Sequence, residues 1–175
     1  MTAAAYVTLP NRRRLRIRPL RHCEEQPIRE LYAHLSARSR YMRFFSAMPT
    51  LPDTLVRQLA CVDGERRVAF VAEDETDGRV EPVALASFGA IDDTTVELGL
   101  VVRDEWQNQR LGTALATCVL DAAEARGFHR FVASIHTHNT AIRRLLYRVG
   151  IVVSSTFESG VFELAFVRRH ASASS

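Results

Sequence analysis

The chain has 175 residues, 47% of them hydrophobic and 25% charged, and a formal net charge of +3. That length suits a single domain with a sizeable core, and the balance is that of an ordinary globular protein. No apolar run approaches the ~20 residues that span a bilayer, and the charge is too small to argue for nucleic acid. Neither a membrane nor a nucleic-acid partner is therefore expected. The cysteines, Cys23, Cys61 and Cys118, are odd in number and widely spaced. They make no ligand pair, so the reading is a reduced, cytoplasmic chain with structural thiols and no metal. Every basic residue is arginine, and the run from Arg12 to Arg18 reads as a solvated strand edge.

Residues 1–13 read as a flexible N-terminus without a signal-peptide core. Leu15 to Pro19 alternates apolar and charged residues, which predicts a half-exposed strand. Ile28, Leu31, Tyr32 and Leu35 recur at helical spacing, and two further short helical pieces follow over 36–45 and 53–59. Strands are predicted at 68–73, 83–90 and 94–102. A long helix from about Gln109 ends at Gly127, a suitable residue just beyond a helix C-terminus. A strand at 129–135, a helix at 139–148 and a hairpin over 152–167 complete the domain, 14–169, and residues 170–175 read as a disordered tail. Short connections make the strands up to Val102 antiparallel, whereas the long helix is a crossover between parallel strands. The predicted fold is α/β (α+β): one domain, a mixed, mostly antiparallel sheet of about seven strands, and helices on both faces.

The segment from Val96 to Gly127 is the most informative. An apolar strand containing one carboxylate, Glu97, runs through the polar turn 103–109 into the long helix. A helix N-terminus offers unpaired backbone N–H groups and a partial positive charge, and a tight turn entering it can hold a pyrophosphate. An ordinary strand–turn–helix connection reads the same way, so these residues alone leave both open. The glycine patterns of a dinucleotide-binding unit and of a P-loop are missing.

Residues 102–115 resemble motif A of the GNAT superfamily of acyl-CoA-dependent N-acetyltransferases, [Q/R]-x-x-G-x-[G/A]. Gln107 matches the first position and Gly112 the last, while Arg110 stands where the middle glycine is usual. Residues 139–151 resemble the family segment N-x-x-x-x-x-L-Y-x-[K/R]-x-G-F. Residues 35–45, LSARSRYMRFF, are similar to a segment of bacterial Pat-type protein-lysine acetyltransferases. Such proteins often carry an additional nucleotide-sensing or synthetase-like domain, and the sequence reads as the acetyltransferase domain without it.

The resemblance implies acetyl-CoA as co-substrate and a primary amine, most naturally a protein lysine, as acceptor. The pantetheine arm would pair with the strand at Leu100, Val101 and Val102. The pyrophosphate would rest on the turn and helix start formed by Gln107, Asn108, Gln109, Arg110, Leu111, Gly112 and Thr113, with Asn139 approaching from the next helix. Arg110 is expected to replace the glycine usefully, because a guanidinium binds phosphate bidentately. Glu97 would act as general base on the ammonium of the acceptor, and Tyr147 matches the family's general-acid tyrosine. The histidines His136 and His138 read as loop residues and not as metal ligands. Two alternatives stand beside this: acetylation of a small amine, and a catalytically weak acyl-CoA-binding sensor. A monomer and a homodimer fit the sequence equally.

Overall fold

A computed structural model describes residues 4–46 and 48–169. The predicted tail, 170–175, lies outside the described residues. The elements are β1 (Ala5–Thr8), β2 (Arg14–Pro19), α1 (Gln26–Ala33), α2 (Ala37–Phe44), α3 (Asp53–Ala60), β3 (Arg67–Asp74), β4 (Glu81–Ala90), β5 (Thr95–Val102), α4 (Leu111–Glu124), β6 (Arg130–His136), α5 (Thr140–Val149), β7 (Gly150–Glu158) and β8 (Val161–Arg168). One sheet holds all the strands in the order β1-β2-β3-β4-β5-β6-β8-β7. Every neighbouring pair is antiparallel except β5 and β6, which α4 connects as a crossover.

The eighth strand is β1, and it corrects the expectation of a flexible N-terminus over 1–13. Four residues give too short a run for a period-two signal. They pair in register with β2, Val7 opposite Leu15, and so cover an otherwise open edge. The Arg14 guanidinium lies over the Tyr6 ring at 3.9 Å. The basic run is corrected too. Arg16 and Arg18 both donate to Glu73 on β3, which is only 2% exposed, and Arg18 also reaches Glu24. These arginines fasten β2 to its neighbour; a buried carboxylate is tolerated when paired and fully hydrogen-bonded.

The sheet is covered on both faces, which explains why β3 and β4 are nearly continuous apolar runs. Helices α4 and α5 pack on one face with Val96, Phe131, Leu164 and Phe166, and α1 and α3 pack on the other with Val71, Leu85 and Val101. Helix α4 buries Leu111, Leu115, Val119 and Leu120. It closes in a paired C-terminal motif: Phe128 N–H donates to Ala123 O and Gly127 N–H to Glu124 O, with Gly127 at φ +89°.

Candidate active site

The site forms where the sheet comes apart. Along β4, strand β5 is paired from Val96 to Val102. Along β6 it is paired only at Thr95, Val96 and Glu97. Beyond Glu97 the two parallel strands diverge, so the β6-facing edge of residues 98–102 has no strand partner. An unpaired strand edge is a ready template for an extended ligand carrying amide groups.

The free edge leads into a turn with two residues in the left-handed region, Asn108 at φ +58° and Arg110 at φ +67°. Asparagine tolerates this conformation; arginine does not readily. Arg110 is the residue immediately before α4. The backbone N–H groups of Leu111, Gly112 and Thr113 precede the first in-helix bond, and they have no backbone acceptor among the described residues. Gly112 serves close packing and not positive φ. A Cβ there would lie 3.1 Å from Leu145 Cδ1 and 3.6 Å from Leu100 Cδ2, so glycine lets α4 sit tightly against α5 and β5.

Edge, turn and helix start border one cleft of about 710 Å³. Of the eleven residues expected around the cofactor, all but Gln109 and Leu111 line it. Leu111 is buried in the core, and Gln109 folds back to donate to Glu105 O. Arg38, Arg43, Arg110, Arg144 and Arg148 also border the cleft, against one carboxylate, Asp104. This lining fits a polyanionic ligand with an extended arm: main-chain donors and guanidinium groups at the turn, a free strand edge beside it.

Asp104 is occupied elsewhere. Its Oδ1 accepts from the hydroxyls of Ser36 at 2.8 Å and Ser39 at 2.9 Å, and its Oδ2 from the Ser36 N–H. Ser36 in turn caps α2, accepting from Ser39 N–H. Burial raises the Asp104 pKa, but the hydrogen bonds from Ser36 and Ser39 outweigh it and hold the carboxyl below its ordinary range. Gln107 completes the tie through Nε2 to Val102 O and Ser39 Oγ. Thus the turn and α2 are one hydrogen-bonded unit, a link that neither segment's sequence announces. Across the cleft Asn139 caps α5, its Oδ1 accepting from Ile142 N–H at 3.3 Å.

A smaller cavity of about 60 Å³ continues into the split between β5 and β6. Glu97 lines neither cavity; it is exposed and sits at the last β5–β6 pair, where the two strands part. Glu97 and Gly99 project to the same face of β5 as Val101, the face covered by α1 and α3. Arg43, from the last turn of α2, lies directly on Gly99. A Cβ at Gly99 would overlap Arg43 Nη2 and lie 2.9 Å from Cζ. Burial pushes the Arg43 guanidinium down from its usual value, and the Glu97 carboxylate partly offsets that shift. Neither Arg43 nor Gly99 was singled out from sequence. The available signal was a glycine inside a strand, which marks a close approach to the backbone.

Tyr147 is 51% exposed and lines neither cavity. Counted from Asn139, the tyrosine of N-x-x-x-x-x-L-Y falls on Leu146, which is buried and borders the split. The expectation for Tyr147 is corrected accordingly: it stands one position, or ~100° of helix, beyond the residue turned inward. His136 and His138 stack at 5.1 Å with Tyr41 beside them, and no group of three metal-type side chains occurs among the described residues. Trp106 is buried beneath Arg13 and packs the turn.

The family profile of the acetyltransferase (GNAT) domain matches residues 14–152. An acetyltransferase of Pseudomonas aeruginosa is 27% identical over 146 residues, 83% of this chain and 78% of that one. Among solved structures, the GNAT domain of S. lividans PAT superposes with a TM-score of 0.83 at 25% identity, covering 94% of this chain and 96% of the other. The yncA acetyltransferase of Salmonella typhimurium, solved with its cofactor acetyl-CoA, gives 0.64 at 21% identity over 91% and 96% of the two chains.

Proposed function

This chain belongs to the GNAT acetyltransferase family, and on that premise we propose that it transfers the acetyl group of acetyl-CoA directly to a primary amine, the side chain of a protein lysine. The observation that carries the reading is the continuity of one cleft. It runs from the free edge of β5 to the left-handed turn and the α4 N-terminus, and Glu97 lies beyond it, at the last β5–β6 pair. A pantetheine arm satisfies the edge, a pyrophosphate meets the amides of residues 111–113, and the thioester reaches the split.

Glu97 then has two tasks. It draws in the acceptor ammonium, whose ordinary pKa is near ~10.4, and takes its proton, directly or through water, so that nitrogen becomes nucleophilic. The exposure of Glu97 supports an acceptor on a protein surface, since the carboxylate lies open to an approaching side chain. The segment 35–45 supports the same acceptor, because α2 borders the mouth of the cleft and resembles the Pat-type sequence. Among the described residues, no helix is long and apolar enough to cross a membrane.

The test is free-thiol release from acetyl-CoA with poly-L-lysine, spermidine and free lysine as acceptors. Turnover on poly-L-lysine is expected to exceed that on the small amines. Glu97→Gln should lower kcat roughly 10²-fold or more at pH 7 while acetyl-CoA affinity measured by calorimetry stays within about twofold. An unchanged kcat removes Glu97 from the reaction, and preference for a small amine replaces the acceptor.

A further inference from the structure

Of the arginines that border the cleft, Arg43 is the one that also borders the cavity in the split. It makes no hydrogen bond or ion pair among the described residues; it lies on Gly99, feels the Glu97 carboxylate, and has the Phe44 ring 5.1 Å from Cζ. It borders both the large cleft and the small cavity in the split. A guanidinium is a fixed fork of five donors that stays charged, and at the border of both cavities these donors are available to a bound acceptor. Arg16 and Arg18 are tied to Glu73, and Arg103 to Glu105. Gly99 is what lets the fork reach this point, because any side chain there would occupy the same space.

Resting on the acetyltransferase reading, we propose that Arg43 is a catalytic residue: its guanidinium, laid across Gly99 at the opening of the β5–β6 split, donates to the thioester carbonyl oxygen and stabilises the oxyanion formed on amine attack. The acceptor ammonium first gives one proton to Glu97. The amine nitrogen then bonds to the carbonyl carbon, and the C=O π pair moves onto oxygen, where Arg43 meets it. The second surplus proton leaves nitrogen, the carbonyl re-forms, and the C–S bond breaks with its electron pair going to sulfur. One of the two protons ends on the CoA thiol and the other in solvent. A preorganised cation in a partly enclosed site is the kind of donor that strengthens as charge develops. With Leu146 at the inward helix position, the two charged side chains placed around the reacting carbon are Glu97 and Arg43, one for each charge that changes.

The same arrangement explains why a cation sits beside a base. Glu97 and Gly99 are two residues apart on one strand face, so the carboxylate and the guanidinium lie on the same side of β5 and their charges attract.

The carbonyl itself reports the contact. Protein bound to [1-13C]acetyl-CoA is examined by isotope-edited infrared spectroscopy, with affinity measured in parallel by calorimetry. The wild type should lower the carbonyl stretching frequency relative to free acetyl-CoA. Arg43→Ala should lose most of that shift with affinity within about threefold, and millimolar guanidinium chloride should restore part of it. Gly99→Ala keeps the arginine but displaces it, and should lose the shift as well; it decides the matter if Arg43→Ala does not fold. In the thiol-release assay both variants should lose roughly 10²-fold in kcat, the effect of removing one oxyanion donor. A carbonyl shift unchanged in both variants overturns the role of Arg43. Failure of the wild type to bind acetyl-CoA overturns the acetyltransferase reading itself, so the two failures are distinct.

Discussion

Arg110→Gly tests how the turn was built. Arg110 holds φ +67° and ψ 0°, a conformation that costs an L-residue about 1–2 kcal/mol and a glycine almost nothing. Glycine returns part of the gain, about 0.5–1 kcal/mol, through the larger entropy of its unfolded chain. The net expectation is a stabilisation of about 0.5–1 kcal/mol, or a rise in Tm of roughly 1–4 °C for a chain of this size. Binding should move the other way. Arg110 borders the cleft and is exposed, so its guanidinium contributes a screened, charge-assisted contact to phosphate, about 1 kcal/mol or some fivefold in Kd. Arg110→Ala separates the two effects, because alanine keeps the strain and loses the charge. It should match the glycine variant in weakened affinity while gaining no stability. Differential scanning calorimetry and titration calorimetry with acetyl-CoA at 50 and 200 mM salt check both, with a shallower salt dependence in each variant. Tighter binding by Arg110→Gly at either salt refutes the phosphate contact, and a lower Tm refutes the strain.

The tie between the turn and α2 should fail in acid. Asp104 titrates below its ordinary range in the folded protein, so its contribution is complete above the unfolded value near ~3.9 and is lost as pH falls through the lower folded value. Asp104→Asn should flatten the acid limb of the stability–pH curve below about pH 4, read by circular dichroism, and Ser36→Ala should cost about 1 kcal/mol by uncapping α2. Gly112→Ala places a methyl 3.1 Å from Leu145 Cδ1 and should destabilise by about 1–3 kcal/mol in urea unfolding, with weaker acetyl-CoA binding as α4 is pushed off β5. Tyr147→Phe should leave kcat within about twofold across pH 6–9, since the ring lines neither cavity.

Much of this was legible because the main elements announce themselves by period and punctuation. Leu111, Leu115 and Val119 recur along one side of α4, and Gly127 closes it. The covered strands β3 to β5 are dense in Val, Ala and Phe, and the parallel step at β5–β6 follows from the length of the helix between them. The turn before α4 was singled out by motif, and it is where the cleft opens. What stayed hidden depends on pairs of residues distant in sequence. Asp104 with Ser36 is a separation of 68 residues, and Arg43 with Gly99 is 56. No local pattern encodes either contact. Tyr147 illustrates a different failure: a one-residue shift within a helix motif leaves composition unchanged but moves a side chain from the core-facing side to solvent.

The departures from local preference are themselves informative. Gly99 weakens a strand that is otherwise Val and Leu, Asn108 and Arg110 adopt left-handed backbone, and Gly112 interrupts the first turn of a helix that alanine or leucine would favour. All four fall within fourteen residues, and each opens room at the same place: Gly99 for the Arg43 guanidinium, the two left-handed residues for amides turned outward, Gly112 for the approach of α4 to Leu100 and Leu145. Other left-handed residues, such as Arg12, Ser159 and Gly160, lie in the connections β1–β2 and β7–β8, where tight turns alone account for them. Departures from local preference that cluster around one cleft are expected where a ligand, and not stability alone, shapes the fold. By that argument the segment from Gly99 to Gly112, with Arg43 laid on Gly99, is the proposed functional centre of the domain, and substitutions there should shift acetyl-CoA binding and turnover more than they shift Tm.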